Sequence, residues 1–339
     1  MSQQDKSRPA TPLAQRAKVR VCQVRAMGSP AQRHHLVGTD LTTALDFGRL
    51  AAPLDAAGPL TPIVVSQAVE DRLTIEGPRI GSISADWMRL HLQTPASGLV
   101  DVRLFATDPD SIEATVDLLE DLRDEAVVGE PASPTYDGMA EYDDRPLATR
   151  PFHQLTFLPA ADPEDEPRWE DVQRLIYRAD LEAIEEQSSI SQPVEMNRRP
   201  GQLAAVGSLG TVGWGLQDYI EPATVLSATL GIASLDAIQT VRLRSVELWR
   251  QAQELVGPVS AQRTTTPANL RSEVGWLQAG LAFSVLPSSV VSPLVQSVRV
   301  ESYHQALYDV ADVLTQHDQV SQMLDRLAGM LAVRRGGGS

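Results

Sequence analysis

The spacing of apolar positions changes along the chain, from a period of two in the first half to three or four in the second. In Lys18–Val24 charged and apolar residues alternate and β-branched residues are frequent, which predicts a strand. Pro62–Val65 and Arg72–Ile75 read as two further short strands. In Trp87–Leu92 the residues Met88, Leu90 and Leu92 share a face, and in Leu99–Phe105 Val100, Val102 and Leu104 lie opposite Asp101 and Arg103. Pro95-Ala96-Ser97-Gly98 supplies turn residues between them. The pattern predicts an antiparallel hairpin with one face buried and one face wet. A helix follows, with Asp108 as N-cap, Pro109 at its first position, and Ile112, Val116, Leu119 and Leu122 at helical spacing. Phe152–Leu158 reads as another strand. Pro167 to about Ile184 reads as a helix that turns Trp169, Val172, Leu175 and Ile176 inward.

The second half is helical by the same test. Ile238, Val241, Leu248, Ala252 and Leu255 predict a helix from Ser234 or earlier to Val256, stopped by Gly257-Pro258. Leu270, Val274, Leu277 and Leu281 predict a second one from Ala268 to about Val285. The most regular pattern is a heptad seam of Tyr303, Ala306, Val310, Val313, His317, Val320, Leu324, Leu327 and Leu331. It suits one long coiled-coil-like helix, or two antiparallel helices if Thr315–Gln319 is a turn. His317 is the only polar member. It reads either as a register-setting or pH-sensitive core position, or as a surface histidine in that turn. His304, Tyr308 and Asp312 share an adjacent face, which reads as a polar partner surface.

These elements give an α+β fold. A mixed α/β N-terminal domain with an antiparallel hairpin precedes an all-α helical C-terminal half. The expected divisions are an arm at 1–17, an α+β domain at 18–128 and a Pro-rich linker or long loop at 129–151. An α/β continuation with a Gly-rich segment occupies 152–233 and a helical domain 234–333, before a Gly/Ser-type tail at 334–339.

Composition narrows the classes. The chain has 339 residues with 42% hydrophobic and 22% charged positions, which are globular values. The net charge of −15 argues against nucleic acid as a partner, since phosphate binding needs a basic face. One cysteine, Cys22, excludes an internal disulfide framework, and its place inside a strand favours an inert thiol. No apolar run follows the basic residues near the start, so a cytoplasmic location is expected.

Candidate chemistry is sparse. The chain has no G-x-S-x-G, H-E-x-x-H or C-x-x-C, so no catalytic residue, metal site or cofactor is assigned. The acidic positions Glu113, Asp117, Glu120, Asp121, Asp124 and Glu125 read as a solvated helix face rather than a cation site. Arg198, Arg199 and Gly201, followed by Gly207, Gly210, Gly213 and Gly215, admit two readings. One is an anion cradle of guanidinium and backbone N–H donors. The other is close backbone packing, which the absence of a phosphate-loop motif favours.

The leading expectation is a non-enzymatic assembly or adaptor protein that binds itself or a protein partner through the helical seam. A membrane-acting, pore- or channel-like effector is the alternative. It would insert the stretches 200–235, with only Asp218 and Glu221 charged, and 274–298, with no charge over 25 residues. Pro287, Pro293 and five serines weigh against the second stretch. A phosphate- or nucleotide-responsive regulator or enzyme using the Arg198/Arg199 loop is a further alternative. The order of soluble α/β part, long helices and weakly apolar stretch resembles the layout of CorA-type metal channels. The Gly-x-Asn signature of that family is missing, because no glycine has Asn two positions later.

Overall fold

The structure, a computed structural model, describes residues 19–28, 64–77, 81–93, 98–107, 109, 111–123, 126–128, 151–159, 167–178, 193–199, 201–216, 220–256, 266–284 and 298–333. Those residues form an α+β fold. The strands are β1 (Val19–Gly28), β2 (Val64–Gly77), β3 (Gly81–Gln93), β4 (Gly98–Thr107), β5 (Ala126–Val128), β6 (Phe152–Leu158), β7 (Val194–Arg199), β8 (Gln202–Val206) and β9 (Gly210–Trp214). They make one mixed sheet in the order β5-β2-β3-β4-β1-β6-β9-β8-β7. The helices are α1 (Ile112–Arg123), α2 (Trp169–Tyr177), α3 (Ile220–Val256), α4 (Pro267–Ser284), α5 (Val298–Val310) and α6 (Val313–Val333).

The hairpin is β3–β4, with Met88 opposite Val102 and Leu90 opposite Val100. The two short strands expected at 62–65 and 72–75 are one strand, β2, while Pro62 lies outside the described residues. On β4 the face expected to be wet is covered at Arg103 and Phe105. Val19, Val21 and Gln23 on β1 are buried as well. The reason is a helical layer on each side of the sheet. Val19, Val21 and Phe105 pack with α1 and α2, whereas Cys22, Val24, Ala26, Val100 and Val102 pack with α3 and α5. The central strands are therefore apolar on both faces, and simple alternation does not describe them.

Local chemistry sets the helix ends. The N-cap of α1 is Ser111, whose Oγ accepts the Ala114 N–H at 3.1 Å. Asp108, the cap expected from the sequence, lies outside the described residues. Helix α2 ends at Arg178, a non-glycine residue in the left-handed region at φ 55°, whose N–H bonds Arg174 O at 2.7 Å. Its C-terminal limit is earlier than the expected Ile184, and residues 179–192 are not described. Thr266 Oγ1 caps α4 by accepting the Asn269 N–H at 3.3 Å.

Helix α3 begins at Ile220 and runs 37 residues. Its first half is buried all round because it lies between the sheet and α5. Gly231 permits this approach, since a Cβ there would sit 2.9 Å from Leu307 Cδ2. Thr224 and Thr229 satisfy their buried hydroxyls on the carbonyls of Ile220 and Val225. The second half of α3 extends past the sheet and packs with α4 and α6 around Ile238, Val241, Leu248, Leu270, Val274 and Leu281.

The terminal seam is neither one helix nor a hairpin at 315–319. It breaks at Ala311-Asp312, where Asp312 adopts φ 53° and Gln316 Nε2 caps Ala311 O at 3.0 Å. Thr315–Gln319 are inside α6.

Candidate functional site

The residues singled out from the sequence fall in three places. Arg198 and Arg199 end the edge strand β7, and Arg199 pairs with Gln202 on β8, so Gly201 lies in the turn of a hairpin. Gly201 has φ +75°, the left-handed conformation that such a turn requires. The following glycines are packing positions. A Cβ on Gly207 would lie 2.4 Å from Ile176 Cγ2, one on Gly210 2.7 Å from the Gln154 carbonyl oxygen, and one on Gly213 2.5 Å from Leu216 Cδ1. These close approaches account for the glycines without a ligand.

The seam residues Val313, Val320, Leu324, Leu327 and Leu331 are buried against α3 and α4 of the same chain. Tyr303 and Ala306 pack toward the sheet, and Val310 is half-buried beside that core. His317 is half-buried on α6, with Nδ1 3.2 Å from Asp318 Oδ1. The heptad signal therefore reports an intrachain core. His304 and Tyr308 are not a surface either. Both are buried, and only Asp312 of that trio is exposed.

Two buried polar clusters, one on each face of β6, were not anticipated. On the face toward α3 and α5, His153 Nε2 shares a 2.8 Å hydrogen bond with Thr211 Oγ1, which lies 3.3 Å from the Tyr303 hydroxyl. Ser227 Oγ on α3 meets His304 Nδ1 on α5 at 2.5 Å, and Ser234 Oγ meets the Tyr308 hydroxyl at 2.8 Å. The His304 and Tyr308 rings stack with centroids 4.4 Å apart. Burial holds both histidines neutral. It pushes His153 down to about 3, helped by the positive charge of Arg178, and His304 down to about 4. The same burial raises the phenols of Tyr303 and Tyr308 and the Cys22 thiol. These hydrogen bonds tie α3 to α5, and α5 to the sheet.

On the opposite face, toward α1 and α2, strand register lines up Arg103, Gln23, Gln154 and Gly210 across β4, β1, β6 and β9. Gln23 Nε2 donates to Leu122 O at 2.7 Å. Arg178 reaches over Gly210, where a Cβ would be 3.5 Å from Nη2, and donates to Leu209 O at 3.1 Å. Its guanidinium also lies 5.8 Å from the Phe152 ring centroid. Burial and the neighbouring charge of Arg123 push Arg178 down to about 10, still charged at neutral pH. Gln23 Oε1, both amide atoms of Gln154 and Arg178 Nε have no partner, although Gln154 is 1% exposed and Arg178 5%. An unsatisfied buried polar group costs about 1–3 kcal/mol. Four of them fall in three side chains at one buried row.

Sequence reasoning missed both clusters. Their one local signal is a His-Gln pair at the centre of an otherwise apolar strand, Phe152–Leu158. Among the described residues no group of three or more His, Cys, Asp or Glu is placed to hold a metal. The acidic positions of α1 are spread between roles. Glu113 pairs with Arg174 on α2 at 2.9 Å, which lowers its carboxyl pKa, and Asp121 is buried.

Of the two stretches considered for membrane insertion, 274–298 is divided between α4, the start of α5 and undescribed residues. Among the described residues one helical segment, Ala223–Gln253, is long and apolar enough to cross a membrane, and 83% of its most apolar window is buried inside the fold. No family model, curated protein or solved structure matches this chain.

Proposed function

We propose that this chain is a non-enzymatic assembly protein whose helical end self-associates through the outer face of α3. The observation that carries this reading is the pair Leu243 and Val246, 49% and 55% exposed. They stand three residues apart, on one face of the helix and opposite its buried Val241, Ser245 and Leu248. Trp276 on the neighbouring α4 is 54% exposed, and Arg244–Glu273, at 2.6 Å, ties the two helices together. Exposed aromatic and aliphatic side chains are the residue types that interface centres favour. With the heptad seam filled from within the chain, self-association needs an outward surface, and on this one Leu243 and Val246 are exposed with Arg242 and Arg250 flanking them. The test is solution mass by light scattering for wild type and Leu243→Asp/Val246→Asp. A wild-type oligomer that the double variant dissociates while staying folded is the expected result. A monomeric wild type refutes the reading.

A further inference from the structure

We propose that Gln23, Gln154 and Arg178 form a closed site for a small protonated oxyanion, with hydrogen phosphate or hydrogencarbonate as the simplest occupants. The proposal is independent of the assembly reading, because it concerns a buried row of the sheet and not the surface of α3. Four of the five unpartnered buried side-chain atoms among the described residues belong to these three side chains. The register explains why they meet. Gln23 on β1 is the cross-strand partner of Gln154 on β6, and Gly210 on β9 is the next position in the row. Arg178 Nη2 occupies the space over Gly210.

The atoms also define the ligand's chemistry. Arg178 Nε–H and the Gln154 amide N–H are donors, and the guanidinium brings a positive charge. Arg178 donates its hydrogen bond to the Leu209 carbonyl, and the Glu120 carboxylate acts on its charge through space without an ion pair among the described residues. An anion therefore suits this side of the site. Gln23 Oε1 and Gln154 Oε1 are acceptors, and they need an O–H to face them. A fully ionised anion such as sulfate has no proton to give. A water molecule matches the donors and acceptors but not the charge. A protonated oxyanion brings the charge, oxygens for the donors and an O–H for at least one of the two amide acceptors; dihydrogenphosphate has one for each. The hydrogen bond to Leu209 O and the contact with the Phe152 ring hold the guanidinium, and with it the charge, in place.

The experiment is thermal unfolding of the full chain at pH 7 with phosphate, hydrogencarbonate, sulfate or chloride at matched ionic strength. Wild type is expected to show a saturable rise in midpoint, at least ~2 °C by about 10 mM, with phosphate or hydrogencarbonate and not with sulfate or chloride. Whichever of the first two acts identifies the occupant. Gln154→Leu removes two unpartnered atoms, so it is expected to fold and to lose the response. Gln23→Leu is read in its place if it does not fold. No anion-specific rise in wild type overturns the proposal. So does an equal rise with sulfate, or a response that survives in the variant.

Discussion

Acidification from pH 7 to pH 5 tests the cluster that ties α3 to α5 and α5 to the sheet. His153 and His304 are buried and neutral in the folded chain, with pKa values pushed from 6.5 down to about 3 and about 4. In the unfolded chain both take up protons near the ordinary value. Falling pH therefore favours unfolding, beginning below 6.5 and ending only at the folded values. At pH 5 each histidine has lost about 2 kcal/mol, or about 4 kcal/mol together. That is a large share of the about 5–15 kcal/mol that holds a typical domain. Urea unfolding at pH 7, 6 and 5 reads the loss directly. The control is His153→Gln with His304→Asn, which keeps a polar atom near His153 Nε2, bonded to Thr211, and near His304 Nδ1, bonded to Ser227. Its stability should change by less than about 1 kcal/mol over the same range. A wild type equally stable at pH 7 and pH 5, or a control that falls as steeply, refutes the reasoning.

Further predictions follow from individual contacts. Gly210→Ala would place a Cβ 2.7 Å from the Gln154 carbonyl, a backbone atom that cannot swing away, and should cost about 1–3 kcal/mol or more in a thermal melt. Leu324→Ala, at a fully buried seam position, should lower stability by about 2–5 kcal/mol and leave the solution mass of the remaining folded protein unchanged. Tyr308→Phe removes the partner of Ser234 Oγ at 2.8 Å inside the core. About 1–3 kcal/mol should be lost, seen as faster amide exchange in α3 and α5. Liposome flotation at neutral pH should recover no protein with the vesicles, since the one membrane-length segment among the described residues is mostly buried; flotation of folded protein would contradict this.

Much of the fold was legible because period and burial agree. Phe152–Leu158 is a strand residue for residue, and helix α4 lies where its apolar spacing puts it. Helix α3 shows the limit of that signal. Its first half, residues 220–233, is apolar or small on every side because it is buried on every side, so it has no period to detect. The strands β8 and β9 were hidden in the same way. Gly210 and Gly213 weaken the strand signal of a segment whose burial on both faces removes alternation. The α5–α6 break rests on one left-handed aspartate, Asp312, which no heptad pattern reveals.

The candidate sites were less legible than the fold. The seam residues were recognised as apolar and aligned, but which helices cover them is a tertiary fact. The conspicuous Arg198-Arg199 pair lies at a sheet edge, whereas Arg178, which reaches the buried row, ends an unremarkable helix in sequence. Gln23 and Gln154 meet only through the β1–β6 register, across a long stretch of chain. A polar residue in a buried strand stands out only when its partners are known.

We propose that copies of this chain meet at the outer face of α3 and not at the heptad seam. Light scattering on wild type and Leu243→Asp/Val246→Asp, with circular dichroism to verify folding, tests it most directly. The account expects a wild-type mass that is a multiple of the 36.8 kDa chain and a folded double variant at the mass of one chain. A wild type already at the mass of one chain, or a double variant that keeps the oligomer, contradicts it.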